Sequence, residues 1–81
     1  MLSELKNKSK VIGVKQSIKA VKSGQAQCVY LAENADPALL APIRVQCAAG
    51  KIHVVSVETM DVLGQACGID VGAAVAVELR N

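Results

Sequence analysis

Apolar residues along this chain recur with two alternating rhythms, one helical and one extended. Leu2 to about Lys8 carries a weak helical pattern, and Val11 and Ile12 form a brief extended segment that ends at Gly13. Val14, Ile18 and Val21 then recur at i, i+4 and i+7, an apolar stripe on a helix that Gly24 closes. Lys15, Lys19 and Lys22 share that spacing on the other side, with Gln16 beside Lys19, so this helix has one core face and one basic face. Cys28 to Ala32 is an apolar run of strand formers too short for a helix. Ala35-Asp36-Pro37 supplies a cap followed by proline at the first helical position, and predicts a helix ending near Gly50 with Leu40, Ile43 and Cys47 as its buried stripe. Pro42 lies deep enough in that helix to cost a hydrogen bond and bend its first turns. Ile52 to Val57 reads as a strand, Thr59 caps a helix from Met60 to about Cys67 with Gly68 as its stop, and a final strand spans about Ala73 to Leu79. Strands alternating with helices over short connections predict an α/β fold, a three-layer α/β/α sandwich with a small mixed four-stranded sheet. With no internal repeat, linker or low-complexity segment, residues 1–81 are expected to form a single domain.

Composition narrows what such a domain can do. Hydrophobic residues make up 52% of the chain but aromatic residues only 1%, so the core is built from Val, Ile, Leu and Ala. Tyr30 is the only aromatic side chain, which disfavours the stacking platforms on which some proteins lay single-stranded bases. The net charge of +2 is unevenly distributed: residues 1 to 24 hold six lysines against Glu4, whereas the remainder carries three bases against six acids. A basic first third joined to an acidic remainder points to one face that meets an anion, with an ordinary solvated lysine surface as the alternative. Cys28, Cys47 and Cys67 are too far apart in sequence for a metal knuckle and read as small buried hydrophobes, so no metal or other cofactor is expected. Their odd number argues against a secreted disulfide framework. Charges at Glu4, Lys6, Lys8 and Lys10 stand where a signal peptide needs an apolar stretch, and no apolar run reaches membrane-spanning length. A cytoplasmic protein without a membrane partner is the expectation.

Candidate chemistry is sparse. The chain lacks a Gly-rich phosphate loop and has a single histidine, His53, in an alternating segment where a solvent-facing or core-edge role is simpler than that of a general base. Glu33 and Asp36 flank a strand-to-helix turn, and capping accounts for Asp36. No enzymatic activity and no small-molecule substrate are expected. Two segments stand out. In Gly13-Val14-Lys15-Gln16-Ser17-Ile18-Lys19 a glycine opens a helix whose exposed first turns present ammonium groups and an amide. A helix N-terminus favours phosphate through its free N–H groups and dipole, lysine can donate to guanine O6 and N7, and glutamine can accept from a base edge. In Gly68-Ile69-Asp70-Val71-Gly72 two branched apolar residues occupy a short loop, where they either pack beneath it or meet an extruded base.

At these segments the chain resembles the ribosomal protein L-seven-Ae superfamily of kink-turn RNA-binding proteins, in its short bacterial branch. Gly13 to Lys19, Ala20-Val21-Lys22-Ser23-Gly24, the Val-Tyr-Leu-Ala-Glu-Asn-Ala-Asp-Pro run ending at Pro37, and Leu63 to Val71 occur in the family's order, so the resemblance covers nearly everything from Lys10 onward. It implies an α/β/α sandwich without catalytic activity that binds structured RNA bent at a bulge of about three nucleotides beside tandem sheared G·A pairs, where the widened groove admits a helix end. The family's Asn-Glu-x-x-Lys motif falls on Lys15 to Lys19. Lys19 keeps the lysine, while Lys15 and Gln16 replace asparagine and glutamate, which alters base discrimination. The resemblance makes Gly13, Val14, Lys15, Gln16, Lys19, Lys22, Glu33, Ile69, Asp70 and Val71 the expected RNA-binding residues of a monomer. The alternative is a protein-interaction module that keeps the same fold.

Overall fold

In a computed structural model, which describes residues 2–80, the chain forms a 3-10 helix Leu2–Asn7, β1 Lys10–Ile12, α1 Val14–Lys22, β2 Ala26–Ala32, α2 Pro37–Gly50, β3 Val54–Val57, α3 Met60–Cys67 and β4 Val75–Leu79. The strands make one mixed sheet in the order β1-β4-β2-β3. β4 runs antiparallel to both β1 and β2, and β3 runs parallel to β2. This is the α/β architecture expected from the sequence.

Alternation along β2 builds two cores. Val29 and Leu31 join Val75 and Val77 of β4 on one face, beneath Ala20 and Val21 of α1 and Leu40, Ile43 and Cys47 of α2. Cys28, Tyr30 and Ala32 point to the other face, where Ala76, Leu63 and Cys67 of α3 and Leu5 of the 3-10 helix complete a second core. Helices therefore cover both faces of the sheet, which makes three layers. Burial raises the pKa of all three cysteine thiols, consistent with their use as small apolar fillers.

The caps work as expected: Asp36 Oδ1 accepts from the N–H of Ala38 at 2.9 Å, and Thr59 Oγ1 accepts from the N–H of Val62 at 3.1 Å. Several boundaries differ from the sequence expectation. β2 starts at Ala26 rather than Cys28, because a bulge at Gln27 interrupts the alternation that marks a strand. Ile52 is not in β3, since its N–H closes α2 by bonding to the carbonyl of Cys47 at 2.9 Å while Lys51, not Gly50, takes the left-handed conformation. His53 thus precedes β3, where its carbonyl accepts from Val29 N–H. β4 starts at Val75 instead of Ala73, whose N–H is bonded to Met60 at the head of α3. On α1, Val14 and Ile18 are only half-buried, and Ser17 with Ala20 takes the deepest positions beside Val21. The Ser17 hydroxyl is buried with no hydrogen-bond partner among the described residues. Among those residues, no helix is long and apolar enough to cross a membrane.

Candidate nucleic-acid interface

Strand direction brings the head of α1 and the downstream end of the Gly68–Gly72 loop to one end of the sheet. β1, β2 and β3 all point the same way and β4 opposes them, so the segments leaving β1, β2 and β3 and the segment that feeds β4 meet at one rim. Backbone bonds tie this rim together: Gly13 N–H donates to Val75 at 2.9 Å, Ala32 N–H to Ala74 at 2.9 Å and Ala73 N–H to Met60 at 3.0 Å.

Gly13 opens α1 at this rim with φ 102°, a conformation that L side chains rarely adopt. Its carbonyl accepts the first helical bond, from Ser17 N–H at 3.0 Å. No side chain caps the helix and no acid occupies its first turn, so the leading N–H groups face outward with the positive end of the helix dipole. Lys15, Gln16, Lys19 and Lys22 are exposed, and with Ile18 and Ser23 they line an open groove of about 570 Å³. Val14 is half-buried against the core behind them. One face thus offers ammonium donors, an amide and an apolar floor, a set suited to phosphates and base edges.

The loop from Gly68 to Gly72 separates its two apolar residues. Ile69 follows the left-handed Gly68 that ends α3, and its N–H bonds to the carbonyl of Gly64 at 3.1 Å. That geometry turns its side chain toward the helix it terminates, and Ile69 packs half-buried against the core containing Tyr30 and Leu63. Val71 is 70% exposed, and Asp70 beside it is exposed too. Ile69 thus packs partly beneath the loop, whereas Val71 projects into solvent.

Glu33 lies just beyond β2 at the same rim, but its carboxylate is occupied. Arg44 of α2 donates to it at 2.9 Å and the Ser56 hydroxyl of β3 donates to its other oxygen. The Ser56 bond, with the Arg44 charge behind it, holds the carboxyl below its usual pKa. Both carboxylate oxygens are thus engaged by α2 and β3, and among the described residues no hydrogen bond links Glu33 to Lys15 or Gln16.

The match to known proteins spans this whole arrangement: residues 2–81 fit the model of the Ribosomal protein L7Ae/L30e/S12e/Gadd45 family. The chain belongs to that family. RNA-binding protein YbxF of Geobacillus stearothermophilus is 41% identical over 70 residues, which cover 86% of this chain and 85% of that relative. Large ribosomal subunit protein eL8 of Halobacterium salinarum is 42% identical over 65 residues, 79% of this chain but only 54% of the longer archaeal protein. In three dimensions the chain superposes on the 15.5kD RNA binding protein of Giardia lamblia with a TM-score of 0.92 at 25% identity, over 99% of this chain and 71% of the other.

Two supports of the L7Ae-type rim escaped sequence reasoning. Asn34 Oδ1 accepts from the N–H of Met60 at 2.8 Å, which fastens the turn after β2 to the head of α3. Gly64 lets the returning loop lie against α3, for a β-carbon there would stand 2.1 Å from the Val71 carbonyl oxygen. A polar residue after a strand and a glycine inside a helix were the available signals, and neither names its partner.

Proposed function

We propose that this protein binds RNA through the rim where α1 begins, and that its preferred RNA is a kink-turn, a bulge of about three nucleotides beside tandem sheared G·A pairs. The observation that carries the reading is an uncapped, lysine-flanked helix start at the rim to which the loop bearing solvent-exposed Val71 returns. Membership of the L7Ae family and the RNA-binding names of its relatives support the same conclusion.

In this reading the leading N–H groups of α1 and the ammonium groups of Lys19 and Lys22 hold phosphates, while Lys15 and Gln16 address base edges in the widened groove. Gln16 accepts without the negative charge of the family's glutamate, so it approaches phosphates with less repulsion. Val71 offers an apolar surface to the base extruded from the bulge, and Asp70 an acceptor beside it. Gly13 leaves the approach open, Val14 and Ile69 support the two segments from within, and Glu33 braces the rim through α2 and β3. Binding stabilises the bent RNA because only that form meets both segments at once. The proposal includes one domain acting as a monomer in the cytoplasm, with neither cofactor nor catalysis.

The test is a titration of purified protein against a kink-turn RNA and a straight duplex of equal length, with fluorophores on the two RNA arms. Tighter binding to the bent RNA, with the arms drawing together in low-magnesium buffer, is the expected result. Equal affinity for the straight duplex rejects kink-turn recognition. Affinity that does not weaken with salt rejects a phosphate-based contact in favour of a protein-interaction module.

A further inference from the structure

Three of the six lysines in the first third of the chain, Lys6, Lys8 and Lys10, lie outside the α1 site. Leu5, fully buried among the residues beneath α3, anchors the 3-10 helix that carries Lys6. The Lys10 ammonium donates to the carbonyl of Lys6 at 3.0 Å and to that of Lys8 at 3.4 Å, which holds the turn after this helix in place. Lys6 and Lys8 are exposed. The Lys6 stem lies along Gly68, where a β-carbon would stand 3.1 to 3.6 Å from three of its carbons. Lys6 therefore sits where α3 ends and the Ile69-Asp70-Val71 loop begins.

That loop runs from Lys6 back along α3 to the rim, where Gly72 packs against Met60 and Val75 meets Gly13. An eight-residue helix is about 12 Å long, so Lys6 stands at one end of a strip of roughly that length, and at the other, past Asp61 in the first turn of α3, the rim leads across Val75 to the lysine-flanked start of α1. Its middle carries exposed Val71 and Asp70, an apolar group and an acid, which are unsuited to phosphate but suited to a base face and a ribose hydroxyl. The alternation of cation, apolar group with acceptor, and cation has the chemistry of a polynucleotide that turns a base inward between two backbone contacts.

We propose that Lys6 and Lys8 form a second phosphate-binding patch, which holds the backbone of the RNA arm that does not lie on α1. This rests on the kink-turn reading and adds to it: the protein clamps both arms of the bent RNA, one on each side of the loop. α1 lies on one face of the sheet and the 3-10 helix on the other, so the two lysine groups meet two different stretches of duplex.

The test compares wild type with the double variant Lys6→Gln, Lys8→Gln, which keeps the stems and removes the charges, on a kink-turn RNA with both arms intact and on two versions with either arm cut back to its closing pairs. On the intact RNA the variant is expected to bind roughly 2-fold to 30-fold more weakly at low salt. The slope of log affinity against log salt should flatten by about 1 for each lysine removed. Cutting back one arm should abolish the difference between variant and wild type, and cutting back the other should leave it intact. Lys22→Gln should show the opposite arm dependence, and Lys6→Arg, Lys8→Arg should restore wild-type binding. An unchanged slope, or the same loss whichever arm is cut, overturns the second patch while leaving the kink-turn reading standing. No preference of wild type for bent over straight RNA overturns both.

Discussion

Gly64→Ala sets helix propensity against tertiary packing, and the two predict opposite signs. Alanine is the better helix former by about 1 kcal/mol, so propensity alone predicts a more stable protein. Gly64 is buried, however, and a β-carbon on it would lie 2.1 Å from the Val71 carbonyl oxygen, 3.1 Å from the Val71 carbonyl carbon and 3.2 Å from the Gly72 α-carbon. Contacts below 3.0 Å are essentially never seen, so the loop must retreat by nearly an ångström. The obstacle is backbone, which no change of rotamer relieves. Forcing such a contact costs about 1 to 3 kcal/mol, which cancels or exceeds the propensity gain and leaves a net loss of roughly 0 to 2 kcal/mol. In a domain this small each 1 kcal/mol moves Tm by about 4 to 8 °C, which is readily followed by far-ultraviolet circular dichroism. The displacement falls on the segment that presents Val71, so kink-turn RNA titrated well below the melting range should bind more weakly than to wild type. A rise in Tm of about 4 °C or more with unchanged RNA affinity would refute the packing of the loop against α3.

The two apolar residues of that loop should respond differently: Val71→Ser should leave stability within about 0.5 kcal/mol of wild type and weaken kink-turn binding, whereas Ile69→Ala should lower Tm. A large melting shift for Val71→Ser with unchanged affinity removes Val71 from the interface. Tyr30, pushed from 10.0 to about 12 by burial and then by Cys28 and Glu78, is the sole aromatic chromophore. Its raised pKa favours the neutral phenol in the fold, so that share of stability is intact below about pH 10 and lost as pH rises toward 12, and phenolate absorbance should appear later in native than in denaturant-unfolded protein; coincident titration curves would contradict the burial. Glu33 has a lowered folded pKa, so its contribution is present above the unfolded value near 4.5 and lost as pH falls through the folded one. Glu33→Gln should flatten the fall of Tm in that acid range, and identical acid profiles would show that the Arg44 and Ser56 contacts contribute nothing.

Local signals in the sequence carried most of the fold. Asp36 before Pro37, Thr59 before Met60, and the glycines at 24 and 68 each act within one helical turn, so the order of elements could be read from neighbours alone. One misplaced boundary falls where an apolar residue serves two grammars: Ile52 looks like a strand residue, yet it follows the left-handed Lys51 and closes the helix behind it. The bulge at Gln27 likewise hid the first turn of β2, because period-two alternation has no symbol for an extra residue.

The candidate interface was legible as residues but not as a place. Lys15, Gln16 and Val71 carry suitable chemistry in sequence, while the return of the Val71 loop to the rim where α1 begins depends on β4 running against β1, a choice made by hydrogen bonds between distant strands. Antiparallel pairing puts the start of β4 beside the end of β1, and the loop that feeds β4 must then pass the head of α1. Had β4 run parallel to β1, the same loop would enter from the opposite end of the sheet and Val71 would lie far from Gly13. Glu33 marks the reverse case: the sequence sets it at the correct rim, but Arg44 and Ser56, brought in by α2 and β3, take up its carboxylate. Helix N-terminus and loop therefore depend on one topological decision, and anything that loosens the β1–β4 ladder, such as a proline at Val11, should separate the two halves of the interface even though neither half is itself altered.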